Sequence, residues 1–170
     1  NSGIEVEMST LFVDTINEKT TNNGVIIPGH VVQVVTGTST TQESTTSNTM
    51  VDSALTATIT PKSSSNKIFV TASINGLYNN TNASAVAITI LRGSTDLAAS
   101  GVNYGYSYIY ASSGGGIVGS ITPCILDSPA TTSAITYKVQ YCRTASIGTG
   151  TAYICTASTT SSLTLMEIGG

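Results

Sequence analysis

Leu55-Thr56-Ala57-Thr58-Ile59-Thr60-Pro61-Lys62-Ser63-Ser64-Ser65-Asn66-Lys67-Ile68-Phe69-Val70-Thr71-Ala72-Ser73-Ile74 reads as two β-strands joined by a polar turn. Up to Thr60 apolar and hydroxyl side chains alternate with period two, the repeat that sends successive residues to opposite faces of a sheet. Pro61 lacks the N–H that a ladder needs, so the first strand ends there. Residues 62–66 are turn formers, and the extended pattern resumes at Lys67. Asn75-Gly76 is expected to stop the second strand.

The same signature recurs on both sides. Upstream, residues 30–35 open the series, and residues 36–49 read as a Ser/Thr-rich loop. Downstream, residues 85–91, 104–110, 117–126, 135–141, 152–155 and 163–168 are extended, and Pro123 bends the third of these. About nine short strands separated by turn signals, with no sustained helical period, predict an all-β sandwich or barrel. A jelly-roll-like antiparallel β-sandwich suits that number best.

Composition agrees. The 170 residues include 29 Thr and 23 Ser, while only 9% are charged against a typical ~25%. Thr is β-branched, fits a pleated surface and is mediocre within helices. A surface so poor in charge must be built from hydroxyls and amides. Six basic residues and a net charge of −3 cannot assemble a phosphate-tracking stripe, so no nucleic-acid partner is expected. No apolar run reaches the ~18 residues of a membrane-spanning helix, so no membrane insertion is expected. The chain starts at Asn1 rather than Met, as a processed or excised sequence does.

Residues 1–30 read apart from the rest. Residues 11–16 form a short strand, Asn22-Asn23-Gly24 is a turn, and residues 25–27 are extended up to Pro28-Gly29. A ribbon this small is marginal alone. The expected organisation is an extended N-terminal attachment or oligomerisation arm over residues 1–30, followed by a β-sandwich head over residues 31–170.

Catalytic chemistry finds no foothold. A hydrolytic triad needs a His, the single candidate is His30, and no GxSxG accompanies it. Asp14, Asp52, Asp96 and Asp127 are scattered singly, which offers no metal-ligand spacing. Ser112-Ser113-Gly114-Gly115-Gly116 is followed by neither Lys nor helix, so it reads as a hairpin tip rather than a phosphate loop. The expectation is no catalytic residue, no cofactor and no metal. Cys124, Cys142 and Cys155 are odd in number and read as reduced small apolar residues. Cys142 and Cys155 flank residues 146–150, and a hairpin there would make them cross-strand neighbours.

Tyr104, Tyr106, Tyr108 and Tyr110 alternate along one strand face. They are expected to meet the core or a neighbouring subunit; the alternative is a platform for stacking sugars. A glycan site, if present, is placed at Tyr78, Asn79 and Asn80, read as a turn, together with Asn103 and Tyr104.

Residues 11–33, LFVDTINEKTTNNGVIIPGHVVQ, resemble a segment of bacteriophage fibre and virion appendage proteins, especially those of marine phages. The run LTATITPKSSSNKI at 55–68 and the ending LTLMEI at 163–168 resemble the globular head of the same family. The resemblance implies a trimeric β-sandwich head on a short anchoring segment, found in the virion on the capsid surface or a tail appendage. It implies as partners other copies of the chain and other virion proteins. The leading expectation is therefore a non-enzymatic capsid-decoration or fibre component, the alternative a receptor-binding fibre tip that grips a host surface glycan.

Overall fold

The computed structural model describes residues 15, 28–80, 84–97, 107–111, 117–145 and 150–170. Among these residues lie twelve strands: β1 (Val31–Ser39), β2 (Glu43–Thr45), β3 (Val51–Ile59), β4 (Lys67–Asn79), β5 (Ser84–Arg92), β6 (Thr95–Asp96), β7 (Ser107–Ala111), β8 (Ile117–Ile121), β9 (Cys124–Asp127), β10 (Ile135–Ala145), β11 (Ala152–Ile154) and β12 (Ser161–Ile168). One 3-10 turn, Thr156–Ser158, separates the last two. The proposed N-terminal arm lies outside the described residues, apart from Thr15 and residues 28–30. Gly29 N–H donates to the Gly169 carbonyl at 2.7 Å, and Gly169 N–H donates to the His30 carbonyl at 2.9 Å, so residues 29 and 30 are already tied to the head.

Two antiparallel sheets pack together. The seven-stranded sheet runs β1-β12-β4-β11-β2, with β8 and β9 also on β4. The five-stranded sheet runs β3-β10-β5-β6, with β7 also on β5. Several strands are halves of one line. β8 and β9 dock on successive parts of β4, broken at Pro123, whose carbonyl still accepts from Ala72 N–H at 3.0 Å. β11 and β12 share the other side of β4, β1 and β2 continue each other beside them, and β6 and β7 share one side of β5. Counted as lines in chain order, one sheet is 1-8-3-6 and the other 2-7-4-5. That alternation is the double Greek key of a jelly roll.

Inward positions of each alternation make the core. Leu55 and Ile59 from β3, Ile68, Val70, Ile74 and Leu77 from β4, Val86 and Ile88 from β5, Tyr137 and Val139 from β10, and Leu163 and Leu165 from β12 are all buried in one cluster. Outward positions are hydroxyl-rich. Thr58 and Thr136 meet across β3 and β10 at 2.8 Å, and Thr36 and Thr164 across β1 and β12 at 3.2 Å. Cross-strand hydroxyl pairs of this kind stabilise a sheet surface that is poor in charge.

Two buried carboxyls lock the sandwich. Glu167 follows Leu163 and Leu165 on the inward face of β12 and is fully buried. It accepts from Lys62 N–H at 2.7 Å, Asn66 Nδ2 at 2.6 Å and Gln33 Nε2 at 2.5 Å. One carboxyl thus holds the β3–β4 turn, β12 and the edge strand β1 together. Asn66 Oδ1 in turn accepts from Gly170 N–H at 3.1 Å. The second, Asp127 on β9, bridges the sheets: Arg92 Nη1 from β5 sits 2.7 and 2.8 Å from its two oxygens, and Tyr137 Oη from β10 donates at 2.7 Å. Burial, reinforced by the bond to Asp127, pushes the Tyr137 hydroxyl well above the usual tyrosine range.

Several expectations change. The stretch read as a loop at 36–49 contains the end of β1 and all of β2, because backbone pairing with β12 and β11 extends it where side-chain alternation fades. Asn75-Gly76 does not stop β4, which continues to Asn79 through a register shift between Ile74 and Leu77. β10 and β11 form no hairpin; they belong to different sheets, so Cys142 and Cys155 are not cross-strand neighbours and remain thiols. Burial pushes the Cys142 thiol up to about 11. On β7, Ile109 packs against the core, whereas Tyr110 is 48% exposed, so that part of the tyrosine row does not point into the sandwich.

Candidate functional site

The register shift in β4 borders a recess in the outer surface. Gly76 takes a left-handed φ of 60°, which glycine adopts without steric cost. The 3-10 turn between β11 and β12 sits directly on it. Thr156 Oγ1 donates to the Gly76 carbonyl at 2.9 Å, and Cys155 N–H donates to the Asn75 carbonyl at 3.0 Å. Asn75 answers from the other side: its N–H donates to Ser161 Oγ at 2.9 Å and its Nδ2 to the Thr160 carbonyl at 2.7 Å. A Cβ at position 76 would collide with Thr159 Oγ1 and the Thr156 nitrogen, so the packing requires glycine.

The turn itself is strained. Cys155, Ala157 and Ser158 all have left-handed φ, at 53°, 54° and 56°. Non-glycine residues in this region cost on the order of 1 kcal/mol each and persist only where surroundings over-determine them. Here the bonds to Asn75 and Gly76 do so.

Between this turn and β8 lies a groove of about 470 Å³, bordered by Asn75, Gly76, Val118, Ser120, Thr156 and Thr160. Val118 is 68% exposed and stands in register with Tyr78, which is in register with Tyr153 on its other side. The Tyr78 and Tyr153 rings lie 5.5 Å apart at 34°, within the range of favourable aromatic pairs. The groove therefore runs into a shelf made of Val118 and two tyrosines. Hydroxyls, an amide and ring faces can bind a polyhydroxylated ligand by hydrogen bonds and stacking.

The residues singled out in the sequence are distributed as follows. Tyr78 is half-buried on the shelf. Asn79 is fully buried, with its backbone paired to Ala152 and Ile117, so it offers nothing to a surface ligand. Asn80 is exposed, and its Oδ1 accepts from Thr151 N–H at 2.8 Å beside a second hollow lined by Thr46 and Arg143. Tyr78 and Asn79 are in strand β4 rather than in a turn. Asn103 and Tyr104 lie outside the described residues. Sequence reasoning missed Tyr153 and the 3-10 turn. Tyr153 was within reach, because buried Ala152 and Ile154 on either side put it on the outer face.

Among the described residues no three of His, Cys, Asp and Glu converge on a metal-sized site. His30 is half-buried at the entry to the head. An exposed charged network, Lys138 Nζ and Gln140 Nε2 on Asp52 at 2.8 and 2.6 Å, holds the Asp52 carboxyl below its usual range through those bonds and lies on the other sheet. No family model and no curated protein sequence matches the chain.

Proposed function

We propose that this chain is a non-enzymatic structural component of a bacteriophage virion, a capsid-decoration or fibre subunit that assembles as a homotrimer and attaches to the particle through its N-terminal arm. One observation carries the reading. The two head segments that resemble the phage family, residues 55–68 and 163–168, are joined in space by Glu167, which binds the backbone of Lys62 and the side chain of Asn66. The resemblance thus covers a coupled structural unit, a strand end and the turn it holds, and this raises its weight above that of two separate strings. The hydroxyl-rich surface adds support. With few exposed ion pairs it is little affected by ionic strength, which suits a particle in sea water.

Removing residues 1–27 tests the role of the arm. The shortened protein is expected to keep the thermal unfolding transition of the head and to be missing from purified particles. Normal incorporation, seen by mass spectrometry of the particles, would rule out attachment through the arm.

The Val118–Tyr78–Tyr153 shelf and its hydroxyl-lined groove favour a second reading, a fibre tip that grips a host surface glycan. Binding on a glycan array that disappears in Tyr153→Ala, with unfolding unchanged, supports that reading; an array without signal for the intact protein removes it.

A further inference from the structure

The outer faces of the two sheets differ in kind. On the five-stranded sheet the outer face carries the Lys138–Asp52–Gln140 network. On the seven-stranded sheet, register places Val34, Met166, Phe69 and Leu126 side by side in one row across four lines. The ends of that row are open: Val34 is 55% and Leu126 52% exposed. Toward the arm, Val31 is paired with Ile168 and is 48% exposed. The next row toward the groove is Thr36, Thr164, Thr71 and Cys124, and beyond it come Thr38, Ser162 and Ser73. These three rows contain no ionisable group other than the Cys124 thiol.

We infer that this face is where copies of the chain meet, each burying its Val34–Met166–Phe69–Leu126 row against a neighbouring copy. The inference rests on the self-assembly proposed above and names the surface that performs it.

Three considerations select a second copy as the occupant. An apolar row spanning a whole sheet is more than the scattered single hydrophobics of an ordinary monomer surface. Its size suffices. Four lines ~4.8 Å apart and the thirteen residues of β4 at ~3.3 Å each span about 800 Å², the share that each partner contributes to a standard interface. Its chemistry selects no charged partner: the rows from Val34 to Ser73 hold no charge for one to complement, and Lys67 lies at the rim beside Ile168. A surface of hydroxyls around an apolar band is matched by another of the same kind, and symmetric oligomers place identical patches around their axes.

Sedimentation equilibrium of the full chain at micromolar concentration decides the matter, with Leu126→Glu and Val34→Glu measured separately. Both positions are exposed, so each charge is tolerated by the isolated fold and repelled only at an interface. The intact protein is expected to run as an oligomer, and each variant to dissociate at least a hundredfold more readily with an unchanged circular dichroism spectrum. Thr56→Glu, on the outer face of the other sheet, is expected to leave the mass unaltered. If the intact chain is an oligomer and both variants stay assembled, this face is not the interface, although the self-assembly reading stands. If the intact chain sediments as a single copy, both fail. If the intact chain and the variants are all single copies and the variants lose thermal stability, the row is covered by another part of the same chain, which also overturns the inference.

Discussion

Glu167→Ala is expected to lower the melting temperature by roughly 10 °C, measured at fixed protein concentration, the largest effect of any single side chain outside the apolar core. The carboxyl is fully buried and accepts three hydrogen bonds, from Gln33, Lys62 and Asn66. Its removal strands buried Asn66 Nδ2 and takes an acceptor from the part-buried Lys62 N–H and from Gln33 Nε2, which keeps the Thr60 carbonyl at 2.8 Å. Each buried donor left unsatisfied costs about 1–3 kcal/mol, and the sum over this cluster is roughly 3–5 kcal/mol. At this chain length 1 kcal/mol moves the midpoint by about 2–4 °C. Glu167→Gln keeps the shape and one acceptor, so its loss should be smaller. A midpoint for Glu167→Ala within about 2 °C of the parent would mean that water replaces the carboxyl and that the cluster does not hold the β3–β4 turn.

Gly37→Ala comes next, with an expected loss of roughly 2–3 kcal/mol, in the range of overpacked sites. Gly37 lies on β1 where the edge of one sheet crosses β3 of the other, and an added Cβ would run into the carbonyl oxygen of Thr56. The obstacle is backbone rather than a movable side chain, so β1 must separate from β3 to admit the methyl group. Gly93→Ala is the contrasting case. Nothing lies within reach of a Cβ there, and the cost comes from its left-handed φ of 58° alone. Equilibrium denaturation of both variants separates the two causes. Equal losses at the two sites would show that β1 and β3 give way freely.

These residues also show what the sequence carries and what it withholds. The alternation in Leu55-Thr56-Ala57-Thr58-Ile59 survives intact because each strand is buried on one face only, and Pro123 divides its run into β8 and β9 as its missing N–H requires. Gly76 misleads because a left-handed glycine reads as a turn, whereas here it makes room for the 3-10 turn and the strand continues. Whether Asn-Gly ends a strand or kinks it depends on Thr156 and Thr159, some eighty residues away. β2 escapes for a related reason: Glu43-Ser44-Thr45 has no apolar period and exists through its backbone pairing with β11. The crossing from β10 to β11 is likewise fixed by which sheet each strand joins, and local turn chemistry between Cys142 and Cys155 holds no record of that.

The candidate site was legible only in part. Tyr78 stands out by composition, and Tyr153 follows from the period of its neighbours, but their 5.5 Å approach depends on β11 lying beside β4. Glu167 illustrates the opposite failure. Counting by two from Leu163 and Leu165 places it inward, yet a carboxyl invites reading as surface. Its donors, Gln33, Lys62 and Asn66, come from two separate parts of the chain, so its burial becomes reasonable only in three dimensions.

The account stands or falls on where the chain resides. Reconstruction of an intact particle of the proposed phage source, with this two-sheet head fitted into the density, tests that directly. The expected result is three copies of the head arranged about a local three-fold axis on the capsid surface or a tail appendage, their seven-stranded sheets turned toward one another and their N-termini toward the particle. Purified particles that contain no copy of the chain by mass spectrometry, and no density of this shape, would contradict it.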